Sequence, residues 1–443
     1  MTINTAAVPY TKSNFLPMAV VAGLFFVFGF VTWLNGALIP FLQIICNLSA
    51  FEAMLVASAF YAAYTVMALP MSYIIERVGY KNAMSLGLFI VAGGALIFIP
   101  AAYSREFSIF LMAQFVVGSG LTILQTASNP YVVKLGPAES AAVRISVMGL
   151  LNKGAGVVAP MVFTILVLSG ISGASEAELA ILSDSARDAK LDELAGQLVT
   201  PYIGMAVALV LLGGAMFFAP IPDIADEVLE GQEGGKIRLS GVVQFPHLIL
   251  GAVALFCYVG VEVIAGDAIG LLGQQAGLAP VVNTSLTSYT MIFMVLGYLV
   301  GVIAIPRFIS QQAALLVSAL LGIVFTVSAM TGSMTSTVMS AATFAMLGLP
   351  AFPNAVYFVA LLGFANAMCW PAIWPLALHG LGRYTSKGAA LLIMGIAGGA
   401  VLPPIYGAFA DTGDGQMAFA IALPAYLFIL FYAVKGHKMR SWS

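Results

Sequence analysis

Apolar runs of nearly constant length recur along the chain. Segments near 17–42, 51–75, 83–103, 107–133, 143–169, 200–220, 246–273, 285–306, 312–333, 353–378, 387–410 and 416–434 are almost free of charge. Each is about 20 residues or more, the length a helix needs to cross the hydrocarbon core of a bilayer. Hydrocarbon offers no hydrogen bonds, so a backbone crossing it must satisfy its own N–H and C=O groups, and such runs fold as helices. The expected fold is therefore all-α and integral to a membrane, with about twelve transmembrane helices. Composition agrees: 61% of residues are hydrophobic and 8% charged, and the mean hydropathy is +1.02, far from the range of soluble domains. Between the ninth and tenth runs, Thr335 to Leu349 reads as a half-buried loop.

Two hydrophilic stretches interrupt the pattern. Gly173 to Leu198 is acidic and helix-prone; Pro222 to Ser240 is rich in Glu and Gly and lies at mid-chain. These divide the chain into a six-helix half over 1–221 carrying an insertion at 173–198, a linker over 222–243, and a second six-helix half over 244–443. The basic residues orient it, because positive loops stay inside. With both termini cytoplasmic, the outer side holds only Arg105, Arg187 and Lys190, while the inner side holds the loop cations from Lys12, Arg77 and Lys81 to Lys435, Lys438 and Arg440.

The same residues exclude several functions. A net charge of -2 leaves no basic face for nucleic acid, and three scattered cysteines make neither a disulfide framework nor a zinc site. An intramembrane metalloprotease would need His-Glu-x-x-His, but the three histidines lie far apart. An aspartyl protease would need Gly-x-Gly-Asp and a second aspartate; Ile264-Ala-Gly-Asp267 lacks the first glycine. No enzyme, resident cofactor or metal is expected, and membrane lipid is the surrounding partner of a chain expected to act as a monomer.

Three charges fall well inside apolar runs rather than in their first residues: Lys153, Glu262 and Asp267. Such a charge costs about 2.5–3.5 kcal/mol on insertion scales, so it either lines a polar path or pairs structurally with a partner. Glu262 and Asp267 are five positions apart and do not share a helix face. Internal repetition adds a second constraint. Asn152-Lys-Gly-Ala-Gly156 followed by Pro160 matches Gly395-Ile-Ala-Gly-Gly399 followed by Pro403, and Phe28-Gly29 matches Val259-Gly260. The match through Gly29 and Gly260 makes Asp267 the counterpart of Gly36. Transporters built from two similar halves place their site between them.

The chain resembles the major facilitator superfamily, and within it the fucose/glucose/galactose sugar symporters. The resemblance rests on Ser72-x-x-x-Glu76-Arg77-Val78-Gly79-Tyr80-Lys81; on Leu124-Gln-Thr-Ala-Ser-Asn-Pro-Tyr131 followed by Leu135-Gly-Pro, Arg144 and Asn152; and on Phe25-Phe-Val-Phe-Gly-Phe-Val-Thr32, Tyr258-Val-Gly-Val-Glu-Val263 and Leu392-Ile-Met-Gly-Ile-Ala-Gly-Gly-Ala400. It implies two pseudo-symmetric six-helix bundles and sugar import across a bacterial inner membrane by alternating access, usually driven by H+ and in some relatives by Na+. It further implies a gating motif at Glu76, Arg77, Gly79, Lys81 and Arg144. There are departures. Where the glucose/galactose branch reads Leu-Asn-Asp, this chain reads Leu34-Asn35-Gly36, and the second acid of the fucose branch is Gln125 here. Lys153 replaces a small or neutral residue, and Asp267 stands where relatives often have Ser. Either the coupling carboxylate has moved to Glu262 or Asp267, or Lys153 supplies a permanent charge in place of the cation and the protein is an uncoupled facilitator. A transporter-derived sugar sensor is the third reading.

Sugar recognition needs directed amides and an apolar ring platform. Gln125 and Asn129 are four apart, as are Asn366 and Trp370, so each pair can face one cavity. Asn35, Asn152 and Glu262 complete the candidate set, with interhelical hydrogen bonding as the alternative for each amide. Trp33, Trp370 and Trp374 more often pack than bind; Trp370 is the stacking candidate. Pro130, Pro371 and Pro403 are expected at helix breaks or bends.

Overall fold

The structure is a computed structural model that describes residues 15–135, 141–168, 179, 181–221, 239–305, 307–344 and 347–442. The described residues contain twelve helices long and apolar enough to span a membrane. They are α1 (Leu16–Cys46), α2 (Ala50–Ala68), α3 (Arg77–Ser104), α4 (Phe107–Asn129), α5 (Arg144–Leu168), α6 (Val199–Phe218), α7 (Pro246–Asp267), α8 (Pro280–Ala304), α9 (Gln311–Thr331), α10 (Asn354–Leu378), α11 (Leu391–Ala410) and α12 (Met417–Lys438). Each falls on one of the apolar runs. The mid-chain linker at 222–238 lies outside the described residues.

Local chemistry sets several boundaries. The Ser49 hydroxyl accepts from the Glu52 N–H at 3.1 Å while the Glu52 carboxylate accepts from the Ser49 N–H at 2.8 Å, a reciprocal cap that starts α2. Helices α2 and α3, expected to be joined by a loop at 72–81, instead run on as one helical path broken at Gly79, whose φ of 81° is open to glycine at little steric cost. The segment at 335–349 contains a short helix, Val338–Phe344. It is anchored by Phe344, whose ring meets Tyr289, Phe293, Phe352 and Tyr357.

Small residues decide which helices touch. A Cβ on Gly29 would lie 1.9 Å from the carbonyl oxygen of Asn152, and one on Gly398 would lie 1.9 Å from that of Phe256. Thus α1 meets α5, and α7 meets α11, backbone to backbone, the same arrangement in each half. The halves join where α2 packs on α11 and α5 packs on α8.

One end of this seam is held shut. The end in question is opposite the terminal end, where α1 begins and α12 ends. The Asp411 carboxylate at the end of α11 accepts from the Ala50 and Phe51 N–H groups at 2.7 and 2.9 Å. Gln274 donates to the Pro40 carbonyl at 3.1 Å, and the hydroxyls of Thr164 and Thr284 are 2.7 Å apart. Over this end lies the insertion helix Asp184–Gly196, tied down by Arg105 to Asp192 (2.7 Å) and Asp188 (3.4 Å) and by Arg187 to Asn47 (3.1 Å).

Candidate substrate and coupling site

Lys153 Nζ lies 2.7 Å from Glu262 Oε1, joining α5 of one half to α7 of the other, with side-chain exposures of 11% and 10%. The ammonium also sits over the Trp33 ring, 4.4 Å from its centroid. A pair so nearly dry is tolerated only because each charge meets an opposite one, and the indole face adds about 0.5–2 kcal/mol. Trp33 is held by glycines. A Cβ on Gly156 would come 2.7 Å from the indole, and one on Gly266 would come 2.6 Å from it. The ring is therefore a wedge of α1 lodged between α5 and α7. Trp33 packs, as its sequence suggests; the signal for where it packs is the pairing of Gly156 with Gly266 around two buried charges.

Asp267 ends α7, and the path resumes as Ile269–Gln275 after Ala268. Breaks inside a membrane persist where neighbours re-satisfy the backbone. Here Thr287 of α8 donates to the Gly266 carbonyl at 2.6 Å, and Thr290 donates to Ala265 at 3.1 Å. Asp267 itself is 1% exposed, and among the described residues neither carboxyl oxygen has a hydrogen-bond partner. Its counterpart Gly36 has no room for a side chain in this state, because a Cβ there would be 1.9 Å from Thr287 Oγ1.

The expected amides divide. Asn35 is buried and accepts from Gln114 Nε2 at 2.8 Å, while its Nδ2 has no partner. Gln125 is half-buried and donates to the Tyr64 hydroxyl at 3.0 Å; Asn129, one turn closer to the terminus-bearing end, is exposed. Asn152 is half-buried and lends its backbone carbonyl to the contact with Gly29. Asn366 and Trp370 do not present one face. Helix α10 is interrupted between Asn366 and Cys369, leaving Asn366 bonded to the Tyr426 hydroxyl at 2.9 Å, whereas the Trp370 ring sits 6.3 Å from Tyr258. Tyr258 is one helical turn before Glu262, so Trp370 and the ion pair approach the same stretch of α7. Pro130 lies within the continuous helix Phe107–Lys134 and Pro403 within Gly398–Ala410, so neither breaks its helix; Pro371 does follow the α10 interruption.

At the terminus-bearing end, Arg77 stacks on the Tyr73 ring at 4.3 Å beside Gly79 and Lys81, and Arg144 donates to the Val132 carbonyl at 2.9 Å. The side chain of Glu76 lies outside the described residues. The model of the family described as Major Facilitator Superfamily matches residues 21–394. The chain belongs to the Major Facilitator Superfamily. It is 34% identical over 424 residues to a glucose/galactose transporter of Brucella abortus, covering 94% of this chain and 92% of the relative. It is 26% identical over 430 residues to the L-fucose-proton symporter of Escherichia coli strain K12, covering 95% and 93%. The crystal structure of the superfamily transporter FucP in its outward conformation has the same fold, with a TM-score of 0.69 at 24% identity over 97% of this chain and 100% of that one. Within the superfamily fold, the Lys153–Glu262 pair lies on the seam between the two halves.

Proposed function

We propose that this superfamily member carries a neutral sugar across a bacterial inner membrane by alternating access, coupled to a cation, with both termini in the cytoplasm. The observation that carries the reading is the charge balance of the seam. Lys153 and Glu262 cancel each other at 2.7 Å, so the site offers an uncharged solute amides and aromatic rings rather than a net field. Gln125 and Asn129 supply hydroxyl-directed groups and Trp370 an apolar face. The name of the Brucella relative, a glucose/galactose transporter, supports a hexose. Because the Lys153 charge is already met by Glu262, it is not free to stand in for a coupling cation, which favours symport over uncoupled facilitation.

Orientation follows from the cations. Arg105, Arg187 and Lys190, on the end opposite the termini, are engaged by Asp188 and Asp192, Asn47, and Glu193. The loop cations on the other end then lie inside, and the conformation is closed to the outside, with the Asn129 face reached from the cytoplasm.

The test is counterflow of labelled sugars in proteoliposomes, with neutral hexoses, amino sugars and uronates compared. Exchange of a neutral hexose is expected. Exchange confined to charged sugars, or no exchange by a folded protein, would overturn the reading.

A further inference from the structure

We propose that Asp267 carries the coupling proton of this transporter, in place of an acid on α1; the inference rests on the sugar-transport reading. Position 36 is closed to any side chain by Thr287, so in this conformation α1 contributes no carboxyl at the corresponding place. Asp267 is 1% exposed with both oxygens unpartnered. Buried polar groups are almost always hydrogen-bonded, and an ionisable one without a partner inside a membrane marks a function. The hydroxyls that could have satisfied it, Thr287 and Thr290, donate instead to the Gly266 and Ala265 carbonyls. The carboxyl is thus left to hold something that comes and goes.

Its neighbours select a proton. The ionisable groups whose fields reach it are Glu262 on its own helix and Tyr61 on α2, with Lys153 of α5 paired to Glu262. The groups of α1 and α8 that meet Gly266 and Ala265 beside it are neutral: Trp33, Thr287 and Thr290. A metal cation wants several oxygen ligands, and among the described residues no cluster of three or more His, Cys, Asp or Glu side chains stands ready to hold one. A proton needs one carboxyl oxygen.

Position makes the carboxyl a coupling device. On either side of Asp267, Gly266 is packed on the Trp33 ring and Gly270 on the Pro40 ring, so α1 covers the break in α7. Opening the sealed end requires α1 to leave α7, which uncovers Asp267 to outside water. The O–H bond formed there is broken after the outer end closes and the inner water path reaches the carboxylate, so one proton crosses per cycle and no other bond changes.

The experiment compares the intact protein with Asp267→Asn in proteoliposomes, using the sugar that exchanges in counterflow. Wild type should accumulate that sugar under an inward proton gradient and acidify a lumen loaded with a pH dye. Asp267→Asn should retain counterflow at equal pH, yet lose both accumulation and acidification. Accumulation by Asp267→Asn at the wild-type level overturns the proposal, as does accumulation by wild type that follows sodium and ignores pH. Should the Asn variant fail to fold, Asp267→Glu decides. Its proton-driven uptake should reach half its maximum at a different pH from wild type, and an unchanged pH profile counts against Asp267. Absence of wild-type counterflow would instead sink the transport reading itself.

Discussion

At the residue scale, the decisive contact is between Lys153 and Glu262. Removing one member of a buried pair strands the other charge, at about 3–5 kcal/mol, whereas replacing both with uncharged residues of similar shape is often near neutral. Glu262→Gln or Lys153→Met alone should therefore lower the melting temperature in detergent markedly. The double variant should melt close to wild type while losing transport. Additive losses in the double variant would show that the pair is not coupled. Lys153 was conspicuous in the sequence as a charge among glycines and valines. Its partner was not, because Glu262 lies in the other half and only packing selects it over Asp267. Asn366 is divided: the tertiary fold gives its oxygen to Tyr426, while among the described residues its Nδ2 has no partner.

At the element scale, the spans were legible because bilayer thickness fixes their length, but their interruptions were not. Pro130 and Pro403 were candidates for breaks or bends, and the helices continue unbroken through both. The interruption at Ala268 occurs without a proline, beside carbonyls that Thr287 and Thr290 bond from α8. A break stabilised from another helix leaves no local sequence signal. The Trp33 wedge has the same origin, since glycine notches on α5 and α7 create the space it fills. Gly266→Val should overpack that notch, costing about 1–3 kcal/mol. Thermal unfolding in detergent checks this: Gly266→Val should melt below wild type, and a Trp33→Phe background, with a smaller ring, should recover part of the loss. No rescue would argue that the valine acts elsewhere than on the wedge.

At the scale of the whole molecule, two similar halves are clamped together at one end, and the clamp is chemically thin. The Asp411 carboxylate closes onto the first turn of α2 through two backbone N–H groups. Hydrogen bonds to a charged group are worth about 1.5–3 kcal/mol, and each 1.4 kcal/mol shifts a two-state balance about tenfold. Asp411→Ala should therefore move the population toward the state open at that end. A cysteine replacing Ile44, which lines a cavity beneath the clamp, reports this in a background lacking the native cysteines. Membrane-impermeant maleimide should label it faster once Asp411 is gone. Unchanged labelling would mean that the clamp does not set the equilibrium.

The sequence by itself determined the membrane, the number of spans, the repeat and the unusual charges, because each follows from composition or spacing along the chain: hydrocarbon thickness sets span length, and a charge among apolar residues is visible wherever it falls. Only the tertiary structure decided which charges meet. Lys153 found Glu262 across the seam, Asp267 was left with no partner, and Gly36 was filled by Thr287 from α8. Those outcomes depend on which helix faces lie within a few ångströms of one another, and that distance is set by packing between segments far apart in the chain.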